Sequence, residues 1–423
     1  MLSGICRIPP RQAAFLDISG HPAKPIAVEN PFTRRLSRIP PYLFAELDRL
    51  KAETKGDIID LGEGSPDQPT PKPILGAMER ALRKPENHGY PTYAGKLSAR
   101  QAAADWYRER FRVRLNPETE VCMLLGSKEG VGHLIWGTCG RGDRVGVSDP
   151  AYPIYPNQSL LSGARPVRVP LLEKNGFLPD LDRVDDIGSS LRLLCLNYPS
   201  NPTAAVADLK FYREVVALAM KHGFGIVNDC VYSELYFGTR RPPSILQVPG
   251  AKKCCIEFHS LSKTWNMAGW RIGVAVGNPG LVRALLRIKQ NTDSGPFGAI
   301  QDTAAWALKH GAGLAAKNRA LYRKRRDAFC DRLHGAGWKV PKPDATFYVW
   351  TRLPGKAKDD YRFALDMLAD CKVVAAPGIG FGRHGRGFVR FALVQTGGRL
   401  REAANRIGSW LQGKGQRDEG TKC

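Results

Sequence analysis

The chain has 423 residues, enough for two or three structural units around a large core. Hydrophobic residues make up 43% and charged residues 24%, the balance of a soluble globular protein, and no apolar run reaches the roughly 20 residues that a transmembrane helix needs, so no membrane partner is expected. Lysine and arginine number 63 against 40 acidic residues, a net charge of +23, but they are spread along the chain without a helix-turn-helix, zinc-knuckle or RNP-type signature, so nucleic acid is not expected as a partner either.

Residues 1–35 read as a flexible arm, broken by Pro9, Pro10, Pro22, Pro25 and Pro31 and lacking the apolar stretch of a secretory signal. A Pro-started amphipathic helix is expected over Ile39–Leu50, then a short strand, Ile58–Leu61. That strand runs into Gly62-Glu63-Gly64-Ser65-Pro66-Asp67, where glycines let backbone approach a ligand or simply make a turn. Helices through Met78 and Leu82 and up to Phe111 flank the loop Tyr90–Gly95.

Strands then alternate with helices, the pattern of an α/β unit with a mostly parallel sheet. Strands are predicted at Val121–Leu125, Arg144–Val147, Arg192–Leu196, Gly225–Asn228, Cys254–Phe258 and Gly273–Val276. Helices are predicted at Leu209–Lys221, Pro279–Gln290 and Ala299–Leu308. Past Gly313 a long basic helix leads to strands around Trp338–Val340 and Ala345–Thr351, with helices near Tyr361–Ala369 and Leu400–Leu411. This second, smaller unit reads as α+β, and the tail 412–423 as disordered. Ten cysteines without paired C-x-x-C spacing and eight histidines without an H-E-x-x-H cluster point to a reducing, cytoplasmic setting and to no metal.

The stretch from Ser260 to Arg271, S-L-S-K-T-W-N-M-A-G-W-R, carries the chemistry. A lysine that forms a Schiff base needs a depressed pKa and a carbonyl beside it. Pyridoxal phosphate supplies that carbonyl together with a dianionic phosphate, and Ser260, Ser262 and Arg271 are residue types that bind phosphate. Ser127 in Gly126-Ser127-Lys128-Glu129-Gly130 opens a helix after a strand and adds further phosphate donors. Asn201 suits an aromatic oxygen, Asp229 a pyridinium nitrogen, and Tyr152 a ring face. Each has a plain rival: Asp229 a helix cap, Asn201 an Asx turn, Tyr152 and Tyr232 core aromatics. Together they supply every partner this cofactor requires, on successive strand ends.

Asn197-x-x-x-Asn201-Pro-Thr, Asp229-x-x-Tyr232 and Ser260-x-Ser-Lys263-x-x-x-x-x-Gly-x-Arg271 resemble the class I/II aminotransferases of PLP fold type I over about residues 36–411. The fuller phrases R-I-P-P-Y-L-F-A-E-L-D-R-L-K, L-G-S-K-E-G, D-S-G-P-F-G-A-I-Q and A-T-F-Y-V-W are similar to its LL-diaminopimelate aminotransferase branch. The resemblance implies a large domain with a mostly parallel seven-stranded sheet over 76–312. It also implies a smaller α+β domain made from both chain ends, 36–75 and 313–411.

It implies that Lys263 is Schiff-base lysine and proton shuttle, that Asp229 pairs with the pyridine nitrogen, and that Asn201 and Tyr232 contact the phenolic oxygen. Ser127, Lys128, Ser260, Ser262 and Arg271 would surround the phosphate, with Tyr90 reaching over from the second subunit of a homodimer. Arg390 would clamp the substrate α-carboxylate, with Tyr42, Gly64, Lys128, Asn201 and Asn291 as further substrate contacts. The chain departs from the pattern at Ser65, Ala99 and Ala204, and at Tyr93, where one branch carries a glutamate for the distal ammonium of diaminopimelate. The implied activity is ping-pong transamination, between LL-diaminopimelate and 2-oxoglutarate in lysine biosynthesis. Alternatives are another amino-acid substrate (alanine, glutamate or an aromatic), a PLP lyase or decarboxylase, or a basic binding protein on an inactive enzyme fold.

Overall fold

The computed structural model describes residues 32–40, 43–355 and 357–420. Its centre is a seven-stranded sheet built from β2 (Val121–Leu124), β3 (Arg144–Asp149), β4 (Arg165–Pro170), β5 (Leu193–Asn197), β6 (Gly225–Asp229), β7 (Cys255–Ser260) and β8 (Gly273–Gly277), in the order β2-β8-β7-β6-β5-β3-β4. Only β8 runs antiparallel to its neighbours. The central strands are apolar on both faces because both faces are covered. With the period of two, Val121, Met123, Leu194, Leu196, Ile226 and Val274 enter one core, whereas Cys122, Leu124, Leu193, Cys195, Val227 and Ala275 enter the other. Helices Leu97–Phe111, Leu209–His222 and Gly298–His310 cover the first face; Ser127–Thr138, Ile154–Ser162 and Pro279–Thr292 cover the second.

The six strands predicted for this sheet are present to within two residues at their ends, and Asp229 is the last residue of β6. β4 escapes the sequence reading, because R-P-V-R-V-P carries two prolines and two arginines on an edge strand where neither is costly. The strand predicted around Trp338–Val340 does not form. Trp338 and Val340 are buried in extended chain, and the Trp338 indole donates to the Arg352 carbonyl at 3.0 Å.

A smaller α+β layer comes from both ends of the chain. β1 (Ile59–Asp60) pairs in parallel with β10 (Val373–Val374), while β11 (Ala376–Pro377), β12 (Phe388–Ala392) and β9 (Tyr348–Arg352) form an antiparallel sheet. Ile59 and Leu61 share one core with Tyr322, Phe329, Val349, Phe391 and Ile407. Past β1 the chain lies against β12, where the Ala392 amide donates to the Leu61 carbonyl at 2.7 Å. A bidentate pair of Asp67 with Arg325, at 2.6 and 2.7 Å, holds the segment that follows. The last helix spans Gly397–Gly420, beyond the Leu400–Leu411 expected. Among the described residues no helix is long and apolar enough to cross a membrane.

Candidate active site

The parallel strands point their carboxyl ends to one edge of the large sheet, where ligands bind in open α/β folds. A cleft of about 570 Å³ lies there, closed on its other side by the Gly62–Ser65 strap, Tyr348 and Arg390 of the smaller layer. It brings together Lys263, Asp229, Tyr232, Ser127, Lys128, Tyr152, Asn201, Ser260, Ser262, Arg271, Gly64 and Arg390, all named from the sequence.

Lys263 sits in the short helix Leu261–Thr264 directly after β7 and donates from Nζ to the Gly64 carbonyl at 3.0 Å. Burial, and then the positive charges of Arg271 and Arg390, push its ammonium down to about 8. Asp229 is buried at the end of β6. Burial raises its carboxyl to about 6, and the hydroxyl of Tyr155, donating to Oδ2 at 2.8 Å, opposes that rise. The Val231 amide also acts to lower this carboxyl. Among the described residues the other oxygen, Oδ1, is buried without a hydrogen-bond partner. Such an acceptor is costly unless a ligand supplies a donor.

The loop after β2 closes around Arg271. Gly126 has φ +87°, and a Cβ there would meet Nη2 of Arg271 at 2.3 Å. The guanidinium donates to the carbonyls of Ala268 at 2.9 Å and Leu125 at 3.4 Å, from a residue itself in the left-handed region at φ 52°. Ser127, Ser260 and Ser262 line the same end of the cleft. At the other end Arg390, 2% exposed, donates to Asn201 Oδ1 at 2.7 Å and to the Gly62 carbonyl at 2.5 Å. Its guanidinium lies 4.2 Å from the Tyr348 ring centroid, and Tyr348 in turn bonds Tyr232, hydroxyl to hydroxyl, at 2.9 Å.

The structure adds residues that the sequence reading did not assign. Asn197 donates to the Asp229 carbonyl at 2.7 Å and accepts from the Asn201 amide at 2.7 Å, so one side chain ties the two strand ends together. Tyr155, one helical turn after Tyr152, orients Asp229. Gly64 is needed because a Cβ there would fall 2.0 Å from the Tyr348 hydroxyl. Two expected contacts are not in this cleft: Tyr90 is 98% exposed, and Asn291 lies exposed with its amide donating to the Arg287 carbonyl at 2.7 Å. Tyr42 lies outside the described residues.

The family model for aminotransferase class I and II matches residues 56–407. The chain belongs to that family. It is 48% identical over 380 residues to the LL-diaminopimelate aminotransferase of Aquifex aeolicus, covering 89% of this chain and 98% of that one. It is likewise 48% identical over 379 residues to the Nitratidesulfovibrio vulgaris protein of that name, covering 88% and 97%. The substrate-bound structure of BacF from Bacillus subtilis superimposes with a TM-score of 0.87 at 34% identity, over 90% of this chain and 98% of that one.

This aminotransferase is a pyridoxal-phosphate enzyme of fold type I, and its cleft fits the cofactor. The unpartnered Asp229 Oδ1 matches a pyridinium N–H, the Arg271 cradle with its serines matches a phosphate, and the depressed Lys263 amine matches an aldehyde.

Proposed function

We propose that this aminotransferase moves the amino group of LL-2,6-diaminopimelate to 2-oxoglutarate, as a cytoplasmic homodimer in lysine biosynthesis. The observation that carries the substrate is the 48% identity, over nearly the full length, to relatives named for it. Pyridoxal phosphate, when bound, supplies an aldehyde that exchanges for the amino group and a ring that spreads negative charge. Lys263 would anchor it, Asp229 would keep its ring nitrogen protonated, and Asn201 and Tyr232 would hold its phenolic oxygen. Tyr152 would face the ring, while Ser127, Lys128, Ser260, Ser262 and Arg271 would hold the phosphate.

Arg390 is positioned to take the substrate α-carboxylate as a fork, because its guanidinium is already oriented by Asn201, Gly62 and the Tyr348 face. With the carboxylate fixed, Lys263 Nζ is the base that takes the proton from the substrate Cα. An amine depressed to about 8 is closer to neutral at working pH than an ordinary lysine. Both half-reactions use this one cleft, so donor and acceptor bind in turn. Tyr90, outside the cleft and almost fully exposed, is read as reaching the phosphate of a second copy of the chain.

The test is a half-reaction scan. Cofactor-loaded enzyme is mixed separately with LL-diaminopimelate, glutamate, alanine and aromatic amino acids while the cofactor absorbance is followed. The fastest change is expected with LL-diaminopimelate and is reversed by 2-oxoglutarate. Response to another amino acid alone would remove the substrate assignment, and no response to any would favour lyase chemistry.

A further inference from the structure

The cleft contains more charge than the cofactor and one α-carboxylate use. Of its cations, Arg271 and Lys128 are assigned to the phosphate end, Arg390 to the carboxylate and Lys263 to the reacting carbon, while Lys51 is paired with Asp48 and Asp60. Among its acids, Asp229 lies at the end of β6 behind the ring position. Asp48 and Asp60 share Lys51, at 2.5 and 2.6 Å, and Asp60 also accepts from the Gly62 amide at 2.8 Å. That leaves Glu63, an exposed residue on the rim of the cleft whose carboxylate has no hydrogen bond or ion pair among the described residues.

Its position is fixed from both sides. The carbonyl before it, Gly62, accepts from Arg390 Nη2, and the carbonyl after it, Gly64, accepts from Lys263 Nζ. The Glu63 amide is within 3.4 Å of Asp60 Oδ1. Glu63 therefore stands on the strap between the carboxylate clamp and the catalytic amine, held by its backbone, with its side chain left over. Its negative charge acts on Lys263, opposing burial and the two arginines there. The strap lines the same cleft as Arg390 and Lys263, within reach of a substrate held between them.

We propose that Glu63 is the specificity-determining residue of this cleft, the carboxylate that receives the distal ammonium of a diamino acid substrate. This rests on the reading of LL-diaminopimelate as donor and supplies the contact that Tyr93 lacks. A side-chain ammonium that reaches this rim can pair with the exposed Glu63 carboxylate, and the analogue without the amine cannot.

The experiment compares two donors on the cofactor-loaded enzyme, LL-diaminopimelate and 2-aminoheptanedioate, which has the same carbon chain and carboxylates but lacks the second amine. In Glu63→Gln, kcat/KM for LL-diaminopimelate should fall about 2- to 5-fold more than for the monoamine, mainly through KM. Glu63→Asp should recover part of the preference. Equal losses on both donors, or a displaced acid limb of the pH profile with the preference intact, would overturn the proposal by showing that Glu63 acts only through the fold or Lys263. If the wild-type enzyme does not accept LL-diaminopimelate, that reading fails by itself, and lysine against 2-aminohexanoate puts the same question to Glu63. A narrowed preference for lysine would then support the proposal, and an unchanged one would overturn it.

Discussion

Two buried carboxylates sit one register step apart on adjacent strands and have opposite surroundings. Asn228 of β6 is paired with Glu257 of β7, and Asp229 with Phe258, so Glu257 and Asp229 face opposite sides of the sheet. Burial raises the pKa of both. On the closed side, Glu257 accepts from Asn228 Nδ2 at 2.8 Å, the Ile245 amide at 2.9 Å, the Tyr107 hydroxyl at 3.0 Å and the Ser244 hydroxyl. On the cleft side, Asp229 has Tyr155 on one oxygen and, among the described residues, no hydrogen-bond partner on the other. The same residue chemistry is thus structural where its acceptors are saturated and functional where one is held open. The difference lies in what the neighbouring elements donate.

Asp229→Asn is the strongest way to break the contrast. An amide cannot keep a ring nitrogen charged, so kcat should fall on the order of a hundred- to a thousandfold. The cofactor-free variant should nevertheless be more stable than the cofactor-free wild type at pH 7. The folded pKa of Asp229, about 6, lies above its ordinary 3.8. Wild-type stability is therefore fully present below about pH 4 and is lost as pH rises through 6. Melting curves of the two cofactor-free proteins should separate above that window, by roughly 1–3 kcal/mol, and converge below it. A variant less stable than wild type at pH 7 would mean that Asp229 is structurally satisfied after all.

Glu257→Leu should do the reverse. It strands the Asn228 amide, the Ile245 amide and two hydroxyls in the core, a loss of about 3–5 kcal/mol in denaturant titrations. The fraction that stays folded should keep its cofactor affinity, since no Glu257 contact reaches the cleft. A selective loss of cofactor from well-folded protein would contradict the division of roles.

The contrast also marks what was readable in the sequence. The strands of the large sheet show as apolar runs because both faces are buried, and the cleft residues follow at their ends, where Asn201, Asp229 and Lys263 break the apolar pattern. Edge strand β4 lacks that pattern, so it was missed. Arg390 came only through the family resemblance; no local pattern joins it to Gly62, 328 positions away. The openness of Asp229 and the saturation of Glu257 depend on Tyr155, Tyr107 and Ser244, which reach them across 13 to 150 positions. Glu63 read as part of a turn for the same reason: its use follows from Arg390 and Lys263 gripping the carbonyls on either side.

Tyr155→Phe makes the smallest change and tests the contrast most sharply. The variant removes one hydroxyl and keeps the packing of a buried ring in the helix Ile154–Ser162. The lost hydrogen bond is the larger of two contributions, with the Val231 amide, that hold Asp229 down against burial, so the carboxyl should rise above about 6. The form that serves the ring is the ionised one, and a higher pKa depletes it on the acid side. The acid limb of kcat/KM should therefore move to higher pH, with a loss of roughly three- to tenfold at neutral pH and recovery in more alkaline buffer. A Tyr155 that only packs would lower the rate by one factor at every pH and leave the limb in place. The displacement of the limb, not the size of the loss, separates a hydroxyl that poises Asp229 from one that merely fills the core.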